Sequence, residues 1–299
     1  MKSNRLALVA LILLVFGHVH AQDYAFKVLV NKGKNELKSG ESWQQIKVGS
    51  NLKSADELKV SENSYLGLVH VSGKPLELKQ SGKYKVMDLA AKVSGGATVV
   101  NKYTDFILSA NTGPKSNLTA TGAVDRGVDN IKVYLPRAEM AVVYGNKAMV
   151  SWEDNKALKP YVVTFKSMFG DELNSVETSE NALVVDLSDR NFENEDNIIV
   201  TVSSKSNKAK FSDDYTLKKL SKADKERIKN LLSEIASQTA EQTALNKLVI
   251  AGFYEQNNLL IDAISFYQEA LKLAPDVPEY KELYNDFLLR QGIKTPPKK

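Results

Sequence analysis

The feature that most constrains this fold is a change of hydrophobic period at Ser221. Before it, short apolar runs alternate with polar residues in a period of two, which is typical of β-strands. After it, apolar residues recur every three or four positions among Lys, Glu, Ala and Leu, which is typical of amphipathic helices. The chain is therefore expected to be multidomain, mainly β and then α. Its 299 residues are enough for two or three domains.

Four helices are expected in the C-terminal part. Ser221 suits the start of the first helix, Pro278 the start of the last, and Gly292 its end. The predicted ranges are about 222 to 237, 240 to 256, 259 to 274 and 278 to 291. Residues 293–299 are expected to form a flexible tail.

Within these helices, small and aromatic residues stand at fixed spacing around the stretch YEQNNLLIDAISFYQEALKLAPD (254–276). The positions are Ala251, Tyr254, Ala263, Tyr267, Ala270 and Pro275. This pattern resembles one unit of the tetratricopeptide repeat, with Asn258 at the turn where glycine is usual. The resemblance implies a domain of helical hairpins over residues 221–292.

A single repeat unit cannot bury its apolar face alone. The first helix, through Ile228 and Ile235, is expected to cover one side, and the last helix to cover the other. Two interpretations of the aromatic residues remain open. They form only the core of the unit, or its short concave face docks a partner peptide or the neighbouring β domain, as longer arrays of this family do. The candidate partner-binding residues are Tyr254, Tyr267, Tyr280 and Tyr284.

Residues 22–86 predict a small antiparallel β domain, with strands separated by glycine-containing turns. The expected strands are 26–30, 57–60, 65–71, 75–79 and 83–86. A progression of glycine, leucine and acidic positions is formed by Gly49, Leu52, Asp56, Leu58, Ser64, Leu66, Gly73, Leu76 and Leu78. This progression resembles the ligand-sensing domain of the FecR family of envelope regulators. FecR regulators carry a transmembrane helix, and no stretch after residue 21 is long and apolar enough for one. The resemblance therefore implies a binding fold without the regulatory circuit.

Residues 87–129 are expected to form a connector of helical turns and loops. Residues 87–93 predict a short helical turn. Residues 97–110 place Val100, Tyr103 and Ile107 at helical spacing, which predicts an amphipathic helix followed by a polar loop.

Residues 130–206 contain seven short apolar runs at near-regular intervals, the pattern of a β-sandwich. Trp152, followed by Pro160-Tyr161 and VVTF, resembles the B and C strands of a fibronectin type III or related immunoglobulin-like domain. Ile199 stands where that family has a tyrosine in the penultimate strand. Trp152 and Tyr161 are expected in the core, facing each other across adjacent strands.

The first 21 residues have the composition of a secretory signal peptide. Lys2 and Arg5 precede an apolar run, and Val19-His20-Ala21 forms a small-residue cleavage site before Gln22. The mature chain is expected to be exported to the periplasm or the cell surface. Loss of Lys2 and Arg5 would lower the net charge from +4 to +2. With basic residues scattered along the chain, a nucleic-acid partner has little support.

The residue inventory excludes several catalytic classes. The chain has no cysteine, and after removal of the signal peptide its one histidine is His70. Cys/His nucleophile pairs, cysteine redox sites and His-rich zinc sites cannot be assembled, and no cofactor is expected. His70 lies in a strand pattern and is expected at the rim of a half-buried face. The acidic loop 186–197 begins with the spacing of a calcium loop, but Asn194 and Val200 replace the required glycine and glutamate, which favours a solvated turn.

These observations predict a non-enzymatic exported envelope or cell-surface protein that acts as a protein-binding scaffold or sensor. The alternative is a carbohydrate-binding or carbohydrate-cleaving envelope protein, whose paired carboxylates a single sequence cannot identify. A row of exposed Tyr or Trp side chains beside an acidic cleft would favour that alternative.

Overall fold

The order of secondary structure follows the change of period. A computed structural model describes residues 24–93, 99–112 and 130–295 of the chain. It is mainly β up to Lys219 and helical after Ser221, which confirms the predicted order. The predicted signal peptide and its cleavage site lie outside the described residues, as does most of the polar loop of the connector. Within the described ranges, no helix has the length and apolar character needed to cross a bilayer.

The strands and helices are numbered here in chain order. The strands are β1 (Phe26–Lys32), β2 (Glu36–Ser39), β3 (Ser42–Gln45), β4 (Asn51–Leu52), β5 (Glu57–Val60), β6 (Tyr65–His70), β7 (Pro75–Leu78), β8 (Gly82–Lys85), β9 (Val142–Val143), β10 (Lys147–Ser151), β11 (Tyr161–Lys166), β12 (Glu172–Thr178), β13 (Ala182–Asp186), β14 (Asn197–Ser204) and β15 (Tyr215–Lys219). The α-helices are α1 (Val86–Val93), α2 (Val99–Thr112), α3 (Lys222–Ala236), α4 (Ala244–Gln256), α5 (Leu260–Leu273) and α6 (Pro278–Arg290). Short 3-10 helices span Ala138–Met140 and Lys156–Leu158.

The N-terminal β module consists of β1 to β8 and α1. Two antiparallel four-stranded sheets, β4-β1-β6-β7 and β3-β2-β5-β8, enclose a core that includes Phe26, Leu58 and Leu66. Helix α1 adds Val86 and Leu89 to this core. All five predicted strands are present, and β5 has the predicted bounds. The short strands β2, β3 and β4 were not predicted, because polar residues dominate both faces of β2 and β3.

Strand β6 is buried on both faces, whereas the sequence predicted a half-buried strand with His70 at its rim. Leu66 and Leu68 face the core of the N-terminal β module. Tyr65 and Val69 point the other way, into a core that they share with the C-terminal helices. His70 is buried as well, with its ring edge-on to a neighbouring phenylalanine. The half-buried prediction is wrong because distant helices cover the second face.

The second β module consists of β9 to β15. A five-stranded sheet, β12-β11-β14-β15-β9, accompanies the strand pair β10-β13. All pairings are antiparallel except the one between β15 and β9. Strand β15 lies beyond the boundary predicted at residue 206, because its alternating pattern had not been recognised as a strand. The first of the seven apolar runs, residues 131–136, was expected to form a strand but makes one β-bridge, between Val133 and Trp152.

Trp152 and Tyr161 are buried in the core of the second β module, as expected. Their ring centroids lie 5.4 Å apart with an interplanar angle of 73°. The expected geometry was wrong in one respect. Trp152 follows β10 and Tyr161 begins β11, and these strands belong to different sheets, so the rings do not meet across adjacent strands.

The helical tail, residues 222–290, consists of α3 to α6 and agrees closely with the predicted helices. The Ser221 hydroxyl accepts a hydrogen bond from the backbone N–H of Asp224, which caps α3. Thr243 caps α4 in the same way through the N–H of Asn246. Helix α4 therefore begins at residue 244 rather than at the predicted 240.

Helix α2, from the predicted connector, packs against α4. A Cβ atom added to Gly252 would lie only 2.8 Å from the side chain of Ile107, so the glycine permits this close approach. Tyr103 and Phe253 contact edge to face, with ring centroids 5.2 Å apart. From the sequence, only the first and last helices of the tail were expected to pack against the repeat-like pair α4 and α5. The first tail helix does bury Ile228 and Ile235 in the same core, but it shares that role with α2.

One apolar core joins the helical tail to both β modules. The N-terminal β module contributes Leu29, Val30, Tyr65 and Val69 to it, and the second β module contributes Met149. The single repeat-like unit thus finds its packing partners in the rest of the same chain.

We expect Ala263→Leu to destabilise this shared core. Ala251, Ala263 and Ala270 are fully buried where α4 and α5 meet, so a larger side chain has no space there. Overpacking of this kind costs about 1–3 kcal/mol. Helical circular dichroism should decrease and protease cleavage after Ser221 should increase. Ala236→Leu, at an exposed position of α3, is the matched control. Unchanged helicity with full protease resistance would contradict the packing described here.

Candidate interaction surfaces and the joints that position them

The four tyrosines predicted to bind a partner are buried, each at most 8% exposed. Tyr267 stacks on Phe287 with ring centroids 4.8 Å apart, and Tyr254 lies 5.1 Å from Phe266. Burial is the main cause that raises the pKa of all four hydroxyls above the usual tyrosine range. All four side chains lie in the apolar core. Tyr280 and Tyr254 also contact Tyr65 and Tyr144 of the β modules, so the unit packs on the neighbouring β domains as well as forming its own core.

A buried carboxylate joins helix α5 to the second β module. One oxygen of Asp262 accepts the backbone N–H of Tyr144 at 2.8 Å, and the other accepts that of Gly145 at 2.9 Å. The two donors belong to the turn between β9 and β10. Because each carboxylate oxygen has its own donor, Asp262 fixes the position of this turn on the first turn of α5.

The same face of α5 makes two further polar contacts with β10. The Ser265 hydroxyl accepts the N–H of Met149 at 3.1 Å. The Gln268 amide donates to the hydroxyl of Ser151 at 2.9 Å. With Asp262, these side chains recur every third residue, so they form one row along the helix. We call this row the α5 joint.

Burial raises the pKa of Asp262 to about 6, against the opposing effect of the two backbone N–H donors and of Lys225. A carboxyl group whose pKa is higher in the folded state than in the unfolded state binds its proton more tightly when folded. Its contribution to stability therefore falls as the pH rises through the window from about 4, the unfolded value, to about 6.

We expect Asp262→Asn to weaken the α5 joint. An amide can accept one of the two backbone N–H groups, but its NH₂ group faces the other, which leaves a buried donor unsatisfied at a cost of about 1–3 kcal/mol. Hydrogen exchange at Tyr144 and Gly145 should accelerate. The stability gap between the wild type and the variant should widen as the pH is lowered from about 6 to about 4. A gap that stays constant over this range would contradict the raised pKa.

A second joint connects the helical tail to the N-terminal β module. The Glu77 carboxylate accepts the N–H of Leu245 at 2.8 Å, at the start of α4. The hydroxyls of Tyr65 and Tyr280 lie 2.7 Å apart. A Cβ atom on Gly67 would lie 3.1 Å from Leu245, so β6 and α4 approach closely here. The N-terminal β module is thus fixed by both polar and apolar contacts.

A buried ion pair links α4 to α6 within the helical tail. The Glu255 side chain is 0% exposed, and Arg290 donates to it through two nitrogens at 2.8 to 3.0 Å. The hydroxyl of Tyr267 and the amide of Gln291 also donate to this carboxylate, each at 3.0 Å. Sequence reasoning missed this network. The available signal was a glutamate next to Tyr254, directly after the apolar run LVIAGF of this helix.

The polar residues considered for catalysis or metal binding make local structural contacts. His70 shares a 2.7 Å hydrogen bond with Ser72, and burial lowers its pKa. In the loop 186–197, the Asp189 carboxylate accepts the N–H of Asn191, and Phe192 packs on Phe165 in the core. Within the described residues, no group of three His, Cys, Asp or Glu side chains is placed to hold a metal ion. The loop 186–197 is therefore a turn held by its own hydrogen bonds and by the packing of Phe192 in the core.

The most exposed large apolar side chain of the described residues lies at the tip of the hairpin between β11 and β12. Phe169 is 93% exposed, and its neighbour Met168 is 55% exposed. We call residues 167–171 the hairpin tip. The hairpin tip was not predicted, although Met168 and Phe169 directly precede the turn residue Gly170.

Comparisons with known proteins do not identify a family. No protein-family model matches the chain, and no curated protein matches it. Solved structures that match weakly include the crystal structure of the Arg-specific cysteine proteinase gingipain R, and a complex of the Porphyromonas gingivalis RgpB pro- and mature domains. Each is 15% identical with a TM-score of 0.22, and the match covers 30% of this chain and 18% or 19% of the other. The match spans less than a fifth of those chains, and at this TM-score it carries no argument.

Proposed function

We propose that this chain is a non-enzymatic, exported scaffold of the bacterial envelope that presents its β modules to a protein partner. In this proposal, a FecR-like module, an immunoglobulin-like module and a tetratricopeptide-like helical tail are held as one body. The partner meets the β modules rather than the tyrosines of the tail.

One observation carries the proposal: the chain itself covers the repeat-like unit on both sides. The α5 joint binds the turn and strand edge of the second β module, while Glu77 and Tyr65 bind α4 and α6 from the N-terminal β module. Because both of its sides pack on β modules, the helical unit has a structural role within the chain. It fixes the two β modules relative to each other, which is what a scaffold requires.

The carbohydrate alternative needs exposed aromatic side chains beside acidic groups. Trp43 is a partly exposed aromatic on the outer sheet of the N-terminal β module, but lysines surround it. The Lys83 ammonium lies 5.9 Å from the centre of its ring, and Lys38 is its partner in the neighbouring strand. This environment does not match the acidic cleft that carbohydrate cleavage requires, so we prefer the protein-binding function.

Affinity capture from the native envelope tests the proposal. Tagged wild-type chain should fractionate with the envelope and recover a defined protein, identified by mass spectrometry. The joint variant Asp262→Asn should recover less of it, because the β modules are held less firmly, and Ala236→Leu should recover as much as the wild type. Retention of the chain in the cytoplasm, or recovery of a polysaccharide without any protein, would contradict the proposed function.

A further inference from the structure

The hairpin tip carries the most exposed aromatic side chain of the second β module, since the next most exposed phenylalanine, Phe211, is 48% exposed. Phe165, Phe192 and Tyr161 of this module are at most 2% exposed, whereas Phe169 is 93% exposed. Single exposed apolar residues are common on protein surfaces. Here, however, two large apolar side chains are adjacent and project from the end of a hairpin.

The turn does not need these side chains for its shape. The Ser167 hydroxyl accepts the N–H groups of Phe169 and Asp171, at 3.1 and 3.2 Å. The N–H of Ser167 donates to the carbonyl of Asp171 at 2.8 Å, and Gly170 adopts a φ of 93°, which favours glycine. Backbone and Ser167 contacts therefore define the shape of the tip without the two apolar side chains. A preorganised tip loses little conformational entropy when it binds.

The charges next to the apolar pair indicate the chemistry of its partner. Asp171 and Glu172 are exposed beside Phe169. Lys166 lies opposite Glu172 in the strand register, so one negative charge remains unbalanced at the tip. Such a tip is repelled by an anionic membrane surface and attracted to a pocket with a basic rim.

We propose that the hairpin tip is the anchor of a protein–protein interface, in which Phe169 enters an apolar pocket with a basic rim on the partner. This proposal rests on the proposed scaffold function and adds the site and the chemistry of the partner surface. Aromatic residues, phenylalanine included, are enriched at the centres of protein–protein interfaces, and side chains in desolvated pockets there carry most of the binding energy.

Site-specific photo-crosslinking in cells that produce the full chain tests the anchor. A benzoylphenylalanine at position 169 should give one discrete protein adduct. The same residue at position 211, where the natural phenylalanine is 48% exposed on the same module, should not give it. The adduct then supplies the purified partner for affinity measurements.

Affinity measurements with that partner show whether binding depends on Phe169 itself or on any exposed aromatic side chain of the module. Phe169→Ser should weaken binding roughly 30-fold or more, as expected for a hot spot of about 2 kcal/mol or above. Phe211→Ser should leave the affinity unchanged. Glu172→Lys should weaken binding more strongly at low salt than at high salt, because the new lysine repels a basic rim and salt screens this repulsion. Circular dichroism should show that all three variants are folded, since the changed side chains are exposed.

Several results would overturn the anchor. They are the absence of an adduct at position 169, equal adducts at 169 and 211, and equal affinities of Phe169→Ser and the wild type. Co-sedimentation with phosphatidylcholine or phosphatidylglycerol vesicles that is lost in Phe169→Ser would make the tip a membrane anchor instead. If affinity capture by Phe169→Ser stays at the wild-type level, the scaffold function stands and the tip proposal fails. If the wild type captures no protein, the scaffold function fails.

Discussion

Arg290→Met should destabilise the helical tail by about 3–5 kcal/mol, because it leaves the buried carboxylate of Glu255 without its counter-charge. Tyr267 and Gln291 would still donate hydrogen bonds, but neither carries a charge. Urea unfolding followed by helical circular dichroism measures the effect. Since the core of the tail continues into both β modules, the loss should also appear in probes of β6 and β10.

Two controls show whether the effect comes from the buried charge. The double variant Glu255→Gln with Arg290→Met should be more stable than Arg290→Met alone, because no buried charge remains unpaired. Lys229→Met breaks an exposed ion pair with Glu226 on α3 and should cost about 0–1 kcal/mol. If Arg290→Met costs no more than Lys229→Met, the buried pair does not form in solution.

Trp152→Ala should destabilise the second β module by about 3–5 kcal/mol, the usual cost of removing a large buried aromatic side chain. The indole is fully buried and fills the space between the two sheets against Tyr161. Near-ultraviolet circular dichroism and denaturant unfolding measure the loss. Trp43→Ala, which removes a partly exposed indole from the other β module, should cost less.

The indole nitrogen allows a finer test of the same core. Trp152 Nε1 is buried and has no hydrogen-bond partner within the described part of the chain. Trp152→Phe removes this unsatisfied donor together with part of the ring, so it should cost much less than Trp152→Ala. If Trp152→Ala unfolds at the same denaturant midpoint as the wild type, the indole does not support the core of the second β module.

Local signals were sufficient to predict the helical tail. Ser221 and Pro278 are recognisable helix starts, and α3 and α6 begin where these residues predict. Alternation also predicted β5 and β11. The burial of both faces of β6 could not be predicted, because it depends on α4, which is nearly two hundred residues away in the chain.

The joints were beyond sequence reasoning for the same physical reason. Asp262 looks like an ordinary acidic residue in the first turn of a helix, and its two N–H donors lie 117 and 118 residues away. Glu255 finds Arg290 only when α4 and α6 pack together. The tyrosines were recognised from their spacing, but only their three-dimensional neighbours show that they are core residues.

The helical tail joins both β modules through one apolar core, so the three parts should unfold cooperatively. Native-state hydrogen exchange at increasing denaturant, on the wild type and Ala263→Leu, measures this cooperativity. We expect the substitution to lower the opening free energy by the same amount in α5, in β6 and in β10, because one core unites them. A decrease confined to α4 and α5, with unchanged protection in β6 and β10, would contradict it.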